Sequence, residues 1–498
     1  MTESSTLKQP KDPVHNSFYK VILSATGLTI LLQMLGLFRQ SLTISYYGLS
    51  RDLDLFWTIY AMASVSVFSI GIIVETVHTA LLVQLRDEQG NQALQEALLP
   101  YAASSVVLGC CAGLLFITVV PALELIYCAG FSDEDRAVVE SLIYPSLPWI
   151  VGLIAYYGLS AAVKTIWAFN WAFVGEVLIM MVSITLILFQ HDSIHMLPLA
   201  YGAGYWLATI WLWIRLLKEA KGRFRYAWVA LPVLMRRIVK HYSALMTSTL
   251  YGFAERFWMS SIPEGGIASI QTVQQLIMGL SSLLSMRDSY LVPLAQEQGR
   301  EERLRRLLMG VLLISISACN FIAWIAPEIT SVLFNYGRTS NKDLVLIANL
   351  LSLGAITTIP ATLSALVWRT RQLSGHHNRF MISSITSASL TFGLGWILIK
   401  DMQLGANGIV FMQAINSCIS LLIALSGLED HSGFVKTVFK WAALIGGGAI
   451  LFSFIAVNFA RNTFHQPILV ILLSGSTYAV LTAAFGYLLR HKLRALCF

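Results

Sequence analysis

Fourteen runs of about 20 or more mostly apolar residues follow one another along this chain, from 18–40 to 467–489, parted by short segments rich in charge, Pro, Gly or His. A helix rises 1.5 Å per residue, so about 20 residues cross the roughly 30 Å of bilayer hydrocarbon. The chain is therefore read as all-α, a polytopic membrane protein with about 14 transmembrane helices. Composition agrees, because only 12% of the 498 residues are charged, against about 25% in soluble proteins. The surplus apolar surface must face lipid, which excludes a soluble enzyme or a DNA-binding domain. The segments between runs are too short to hold an extramembrane catalytic domain. The first run is too long for a signal-peptide core and is read as a retained helix. Six cysteines show no metal-ligand spacing.

The basic residues set an orientation. With the N-terminus in the cytoplasm, 25 of the 34 Lys and Arg fall on cytoplasmic segments, as the positive-inside bias requires. The largest cluster runs from Lys218 to Lys240, and others lie at Arg300–Arg306, Arg369–Arg379 and Arg490–Arg494. The net charge of +7 thus reports topology and contact with membrane lipids, not nucleic acid.

The chain also repeats itself. Leu82-Val83-Gln84-Leu85-Arg86-Asp87-Glu88-Gln89-Gly90 returns as Leu291-Val292-Pro293-Leu294-Ala295-Gln296-Glu297-Gln298-Gly299, and Leu159-Ser160-Ala161-Ala162-Val163 as Leu363-Ser364-Ala365-Leu366-Val367. Arg39 precedes Gly48 by the same spacing as Arg256 precedes Gly265. These echoes predict two pseudo-symmetric six-helix bundles, 18–217 and 241–427. They would be joined by a basic cytoplasmic linker, 218–240, with a tail at 1–17 and two extra helices in 428–498. Duplicated units of equal topology place a cavity between the halves.

Ionisable residues inside apolar runs are costly and face a partner or a wet cavity. Arg39, Glu75, His78, Glu176, Glu255, Arg256, Arg287 and Asp288 are such residues. Glu75 and His78 are three apart and share a helix face. The runs that carry most of these groups are equivalent in the two repeats. Several basic groups in one chamber suit a phosphate or diphosphate.

Leu35-Gly36-Leu37-Phe38-Arg39, then Gly48, then Asp54-Leu55-Phe56 resemble the first signature of the MurJ/MviN lipid II flippases. Glu255-Arg256-Phe257-Trp258 with Gly265-Gly266, and Leu291-Val292-Pro293-Leu294, are similar to that family's seventh and eighth helices. The resemblance covers most of residues 20–430. It implies the multidrug/oligosaccharidyl-lipid/polysaccharide exporter (MOP) fold and alternating access. It carries over Arg39, Asp54 and Arg256. Family charges are missing at Gln33, Gln274, Gln275 and Met278, and no Lys or Arg occurs between Arg51 and Arg86. These departures imply that the chain binds lipid II's pyrophosphate differently or takes another polyprenyl-linked glycan.

The expected function is a bacterial inner-membrane flippase, not an enzyme, for a polyprenyl-diphosphate-linked saccharide. Arg39, Arg256 and Arg287 would bind the substrate. Asp54, Glu75, His78, Glu255 and Asp288 would pair with them, gate, or couple to an ion. The driving force would be H+, Na+ or the membrane potential, with no metal or organic cofactor, and glycan-assembly enzymes are candidate partners. Peptidoglycan precursor and exopolysaccharide or O-antigen unit are both open as cargo. A cation-coupled drug exporter and a membrane glycosyltransferase using Asp52 and Asp54 are the alternatives.

Overall fold

The computed structural model describes residues 14–64, 69–166, 168–220, 236, 250–284, 300–373, 378–426 and 431–497. Every regular element among them is helical. Helices satisfy all their own backbone groups, which is what lipid demands of a spanning segment. They are α1 (Val14–Tyr47), α2 (Arg51–Ala63), α3 (Ser69–Tyr127), α4 (Asp133–Thr165), α5 (Phe169–Phe189) and α6 (Met196–Ala220). Residues 250–259 form α7. Then come α8 (Gly266–Leu284), α9 (Arg300–Phe334), α10 (Asn341–Leu373) and α11 (Asn378–Gly395), which ends in a π-helical turn, Trp396–Asp401. The last are α12 (Gly405–Leu425), α13 (His431–Thr463) and α14 (Pro467–Cys497). Among the described residues, nine helices are long and apolar enough to cross a membrane. The chain is a multi-pass membrane protein.

One boundary differs from the sequence reading. The second expected span, 55–84, falls on α2 and the start of α3, with 65–68 outside the described residues. Helix α3 then runs through two expected spans and reverses at Gly90, whose φ of 86° breaks the helix and is open to glycine without strain. Elsewhere the ends are signalled locally. Ser132 and Asp135 form a reciprocal cap at the start of α4, and Ser340 and Asp343 do the same for α10. Each such cap satisfies two otherwise orphaned backbone N–H groups.

Helices α3, α4, α5 and α6 pack on one another, and so do α9, α10 and α12, with α13 and α14 laid against α9. Apolar burial divides unevenly along the bundle. At one end a single core runs across both halves, joining Trp57, Met62 and Tyr127 to Met259, Ile262, Ile267 and Leu350. At the other end the described residues form two separate cores. One holds Leu82, Leu98, Leu159 and Leu212; the other holds Leu308, Val367, Trp368 and Leu425. Among the described residues the two halves share one core at the first end, here the latch end, and have distinct cores at the second, where Lys218 and Arg300–Arg306 lie.

Candidate functional site at the seam between the halves

Helix α1 ends at Gly48 (φ 66°), and the equivalent chain after α7 turns at Gly265 (φ 77°). A left-handed residue is the ordinary way to stop a helix and redirect the chain. These glycines also let the halves touch. A Cβ on Gly265 would lie 2.6 Å from the Leu49 carbonyl oxygen, and one on Gly130 would lie 2.6 Å from that of Ser260. One on Gly337 would collide with the Ser45 carbonyl.

Asp54, in the first turn of α2, is fully buried. It reaches across the seam and accepts hydrogen bonds from the backbone N–H groups of Gly265 and Ala268, each 2.7 Å. It therefore caps α8 from the opposite half, where the helix dipole favours an anion. Around it, the Arg51 N–H donates to Glu264 across the seam (3.0 Å), and the Arg51 guanidinium reaches Asp135 at 2.8 Å. The Arg338 N–H donates to the Ser45 carbonyl (2.9 Å) and the Gly130 N–H to the Ser260 hydroxyl (3.0 Å). This is a closed latch.

Just inside it lie the two arginines. Arg39, 8% exposed, stacks its guanidinium 4.2 Å above the Tyr201 ring. Tyr201 is itself held among Phe56, Tyr60 and Trp149. The next residue, Gln40, donates to Thr272 on α8 at 2.8 Å. Beside Thr272, Gln271 accepts from Arg256 Nη2 at 3.2 Å, while Arg256 Nη1 is buried without a hydrogen-bond partner. Arg39 and Arg256 thus flank one contact across the seam. Among the described residues neither has a carboxylate within ion-pair distance.

The acids expected beside them point elsewhere. Consecutive helical residues diverge by about 100°, and Glu255, adjacent to Arg256, accepts from Gln413 (2.8 Å), Gln274 (3.4 Å) and the Tyr251 hydroxyl. Glu75 pairs with Lys164 at 2.5 Å and accepts from Ser160 at 3.5 Å, not with an arginine, and Glu176 lies within the field of that pair. His78 shares Glu75's helix face but is fully buried. It contacts Ser105 at 3.3 Å, packs against Tyr101, and leaves Nε2 without a partner. Arg287 and Asp288 lie outside the described residues. Sequence reasoning missed Lys164, Gln271, Gln413 and Tyr201 as members of these networks. No group of three or more His, Cys, Asp or Glu that could hold a metal occurs among the described residues.

No family model and no curated protein matches the sequence. Solved structures do match the fold. The lipid II flippase MurJ in an inward closed conformation aligns with a TM-score of 0.75 at 16% identity, over 93% of this chain and 99% of that one. An inward-facing multidrug resistance MATE transporter of the MOP superfamily aligns at 0.62 with 13% identity, over 82% and 99%. A MOP superfamily transporter from Pyrococcus furiosus, described as having a binding pocket of reverse polarity, aligns at 0.54 with 13% identity, over 86% and 96%. The chain therefore shares the fold seen in MurJ and in the MATE transporter.

Proposed function

We propose that this protein is a flippase for a polyprenyl-diphosphate-linked saccharide in a bacterial inner membrane. One observation carries the reading: Arg39 and Arg256 stand at the seam, largely out of solvent, without a carboxylate partner among the described residues. A buried cation without a counter-ion is expensive, and an anionic headgroup entering between the halves supplies the missing charge with bidentate hydrogen bonds. An exporter of cationic drugs would need the reverse polarity. The apolar groove of about 480 Å³ between α1 and α9, lined by Met34, Leu37, Phe38 and Leu333, lies on the face of α1 beside Arg39 and suits a hydrocarbon tail that stays in lipid.

The basic end faces the cytoplasm by the positive-inside bias, so the latch closes the outer side and the headgroup enters from within. Opening of the latch would release it outward. Glu75 and Glu255 are the acids assigned to coupling with H+, Na+ or the membrane potential. The uncharged Gln33, Gln274 and Gln275 favour a glycan other than lipid II, such as an exopolysaccharide or O-antigen unit.

The test is a fluorescent polyprenyl-diphosphate-N-acetylglucosamine in proteoliposomes, with an impermeant quencher reporting its leaflet. Exchange by the native protein and its loss in the Arg39→Gln/Arg256→Gln double variant are expected. Undiminished exchange by that variant would refute the assignment.

A further inference from the structure

Within the second half lies a cavity of about 310 Å³ between α7, α10, α11 and α12. Its wall is unusual for a membrane interior: hydroxyls from Ser364, Ser383, Ser387 and Ser420, the Asn416 amide, the Tyr251 and Trp368 rings, and no charged group among the described residues. Serines on apolar helices can simply fill space, so the direction of each hydrogen bond decides what the wall presents.

Asn416 is 4% exposed. Its neighbour Thr391 spends its only hydroxyl proton on the Ser387 carbonyl (2.7 Å), so it can receive only an N–H from Asn416, at 2.7 Å. That fixes the amide: Nδ2 is committed and Oδ1 is left without a donor, although a buried carbonyl normally has one. Ser420 gives the complementary result. It accepts the Trp368 indole N–H at 3.0 Å and the Ser383 hydroxyl at 3.2 Å, which fills both lone pairs. Its own proton must then go to Ser364, 2.9 Å away, and the Ser364 proton remains to be donated. The wall thus offers an acceptor and a donor, uncharged, with aromatic surface nearby.

Such a wall matches a neutral polyol and rejects a phosphate. Tyr251 precedes Arg256 by five residues on α7, about 7.5 Å along the axis, the scale of a sugar joined to a diphosphate. The volume is at the low end for small-molecule sites, room for one ring and not a chain. We infer that this cavity binds one uncharged sugar residue of the cargo, while the seam arginines hold the diphosphate. The inference rests on the proposed function for its cargo, but the two can fail separately.

The experiment is saturation-transfer difference NMR on the full chain in nanodiscs, with N-acetylglucosamine, glucose, galactose and mannose as probes, and a separate titration with pyrophosphate. At least one sugar should bind saturably. Asn416→Ala and Ser364→Ala should each weaken it about fivefold, the loss of one neutral hydrogen bond. Ser387→Leu, which fills the space, should abolish it. Sugar binding should survive Arg39→Gln/Arg256→Gln, which should remove the pyrophosphate response. No saturable binding of any sugar, equal binding by all three cavity variants, or a cavity that takes up Na+ and no sugar overturns the inference. Sugar binding without a pyrophosphate response keeps the cavity assignment and defeats the diphosphate reading.

Discussion

Replacing Asp54 should open the latch. Its carboxylate holds two backbone N–H groups of the opposite half at 2.7 Å each, and the side chain is fully buried. Hydrogen bonds to a charged group contribute about 1.5–3 kcal/mol each, so Asp54→Ala removes about 3–6 kcal/mol from the closed state. In the opened state water solvates the same groups, so the bias lost lies toward the lower figure. At 1.4 kcal/mol per tenfold, even 3 kcal/mol shifts the closed-to-open ratio by roughly a hundredfold. Asp54→Asn should do less, because its amide oxygen can still accept from one N–H, while its NH2 meets the other donor to donor. Spin labels at Asp52→Cys and Ser261→Cys, on exposed positions of the two halves, report the gap by double electron–electron resonance in a background free of native cysteine. The native latch should give one short distance; Asp54→Ala should add a long population that dominates, with Asp54→Asn between. An unchanged distribution in Asp54→Ala would mean that apolar packing alone closes this end, and the capping argument would fall.

Gly337→Ala should act in the same direction, since its methyl group meets the Ser45 carbonyl only when the halves are closed; the same label pair checks it. Glu75→Gln and Lys164→Met should each destabilise the protein, and their combination should cost less than their sum, with a coupling of about 1–2 kcal/mol in a thermal-unfolding double-mutant cycle. Arg461 grips Glu328 at 2.6 and 3.0 Å and the Trp324 carbonyl at 3.1 Å, so Arg461→Ala should loosen α13 from α9 and lower the Tm by a few degrees, while Arg461→Lys should restore part of it.

What the sequence revealed and concealed follows from what periodicity can encode. Apolar runs set the helices, and Gly48 and Gly265, each nine residues after an arginine, are turns of positive φ. A run reports that a residue lies in a helix, but not which distant residue it meets. Lys164 and Glu75 are 89 positions apart, and nothing in either run announces the other. Asp54 was visible as a charge at a helix start, where an acid ordinarily caps its own helix. Its actual targets lie 211 and 214 residues on, and only the assembled halves turn a local signal into an interhelical one. The serines of the second-half cavity did leave a trace, because 383, 384 and 387 fall on one helix face, as do 417 and 420.

The distribution of partners matters more than the distribution of charges. By composition the membrane-embedded region holds acids and bases in similar number, and the sequence invites pairing them. In the folded chain three of the acids have partners other than Arg39 and Arg256: Asp54 has backbone N–H groups, with the Arg51 guanidinium at 4.0 Å, Glu75 has Lys164, and Glu255 has neutral amides and a phenol. Arg39 is left to an aromatic face and Arg256 to a single glutamine oxygen, contacts that orient a guanidinium without neutralising it. Partnering these three acids from elsewhere is how a chain whose embedded acids and bases are similar in number can present a positive seam, and through Asp54 it ties the polarity of the site to the contacts that close the latch.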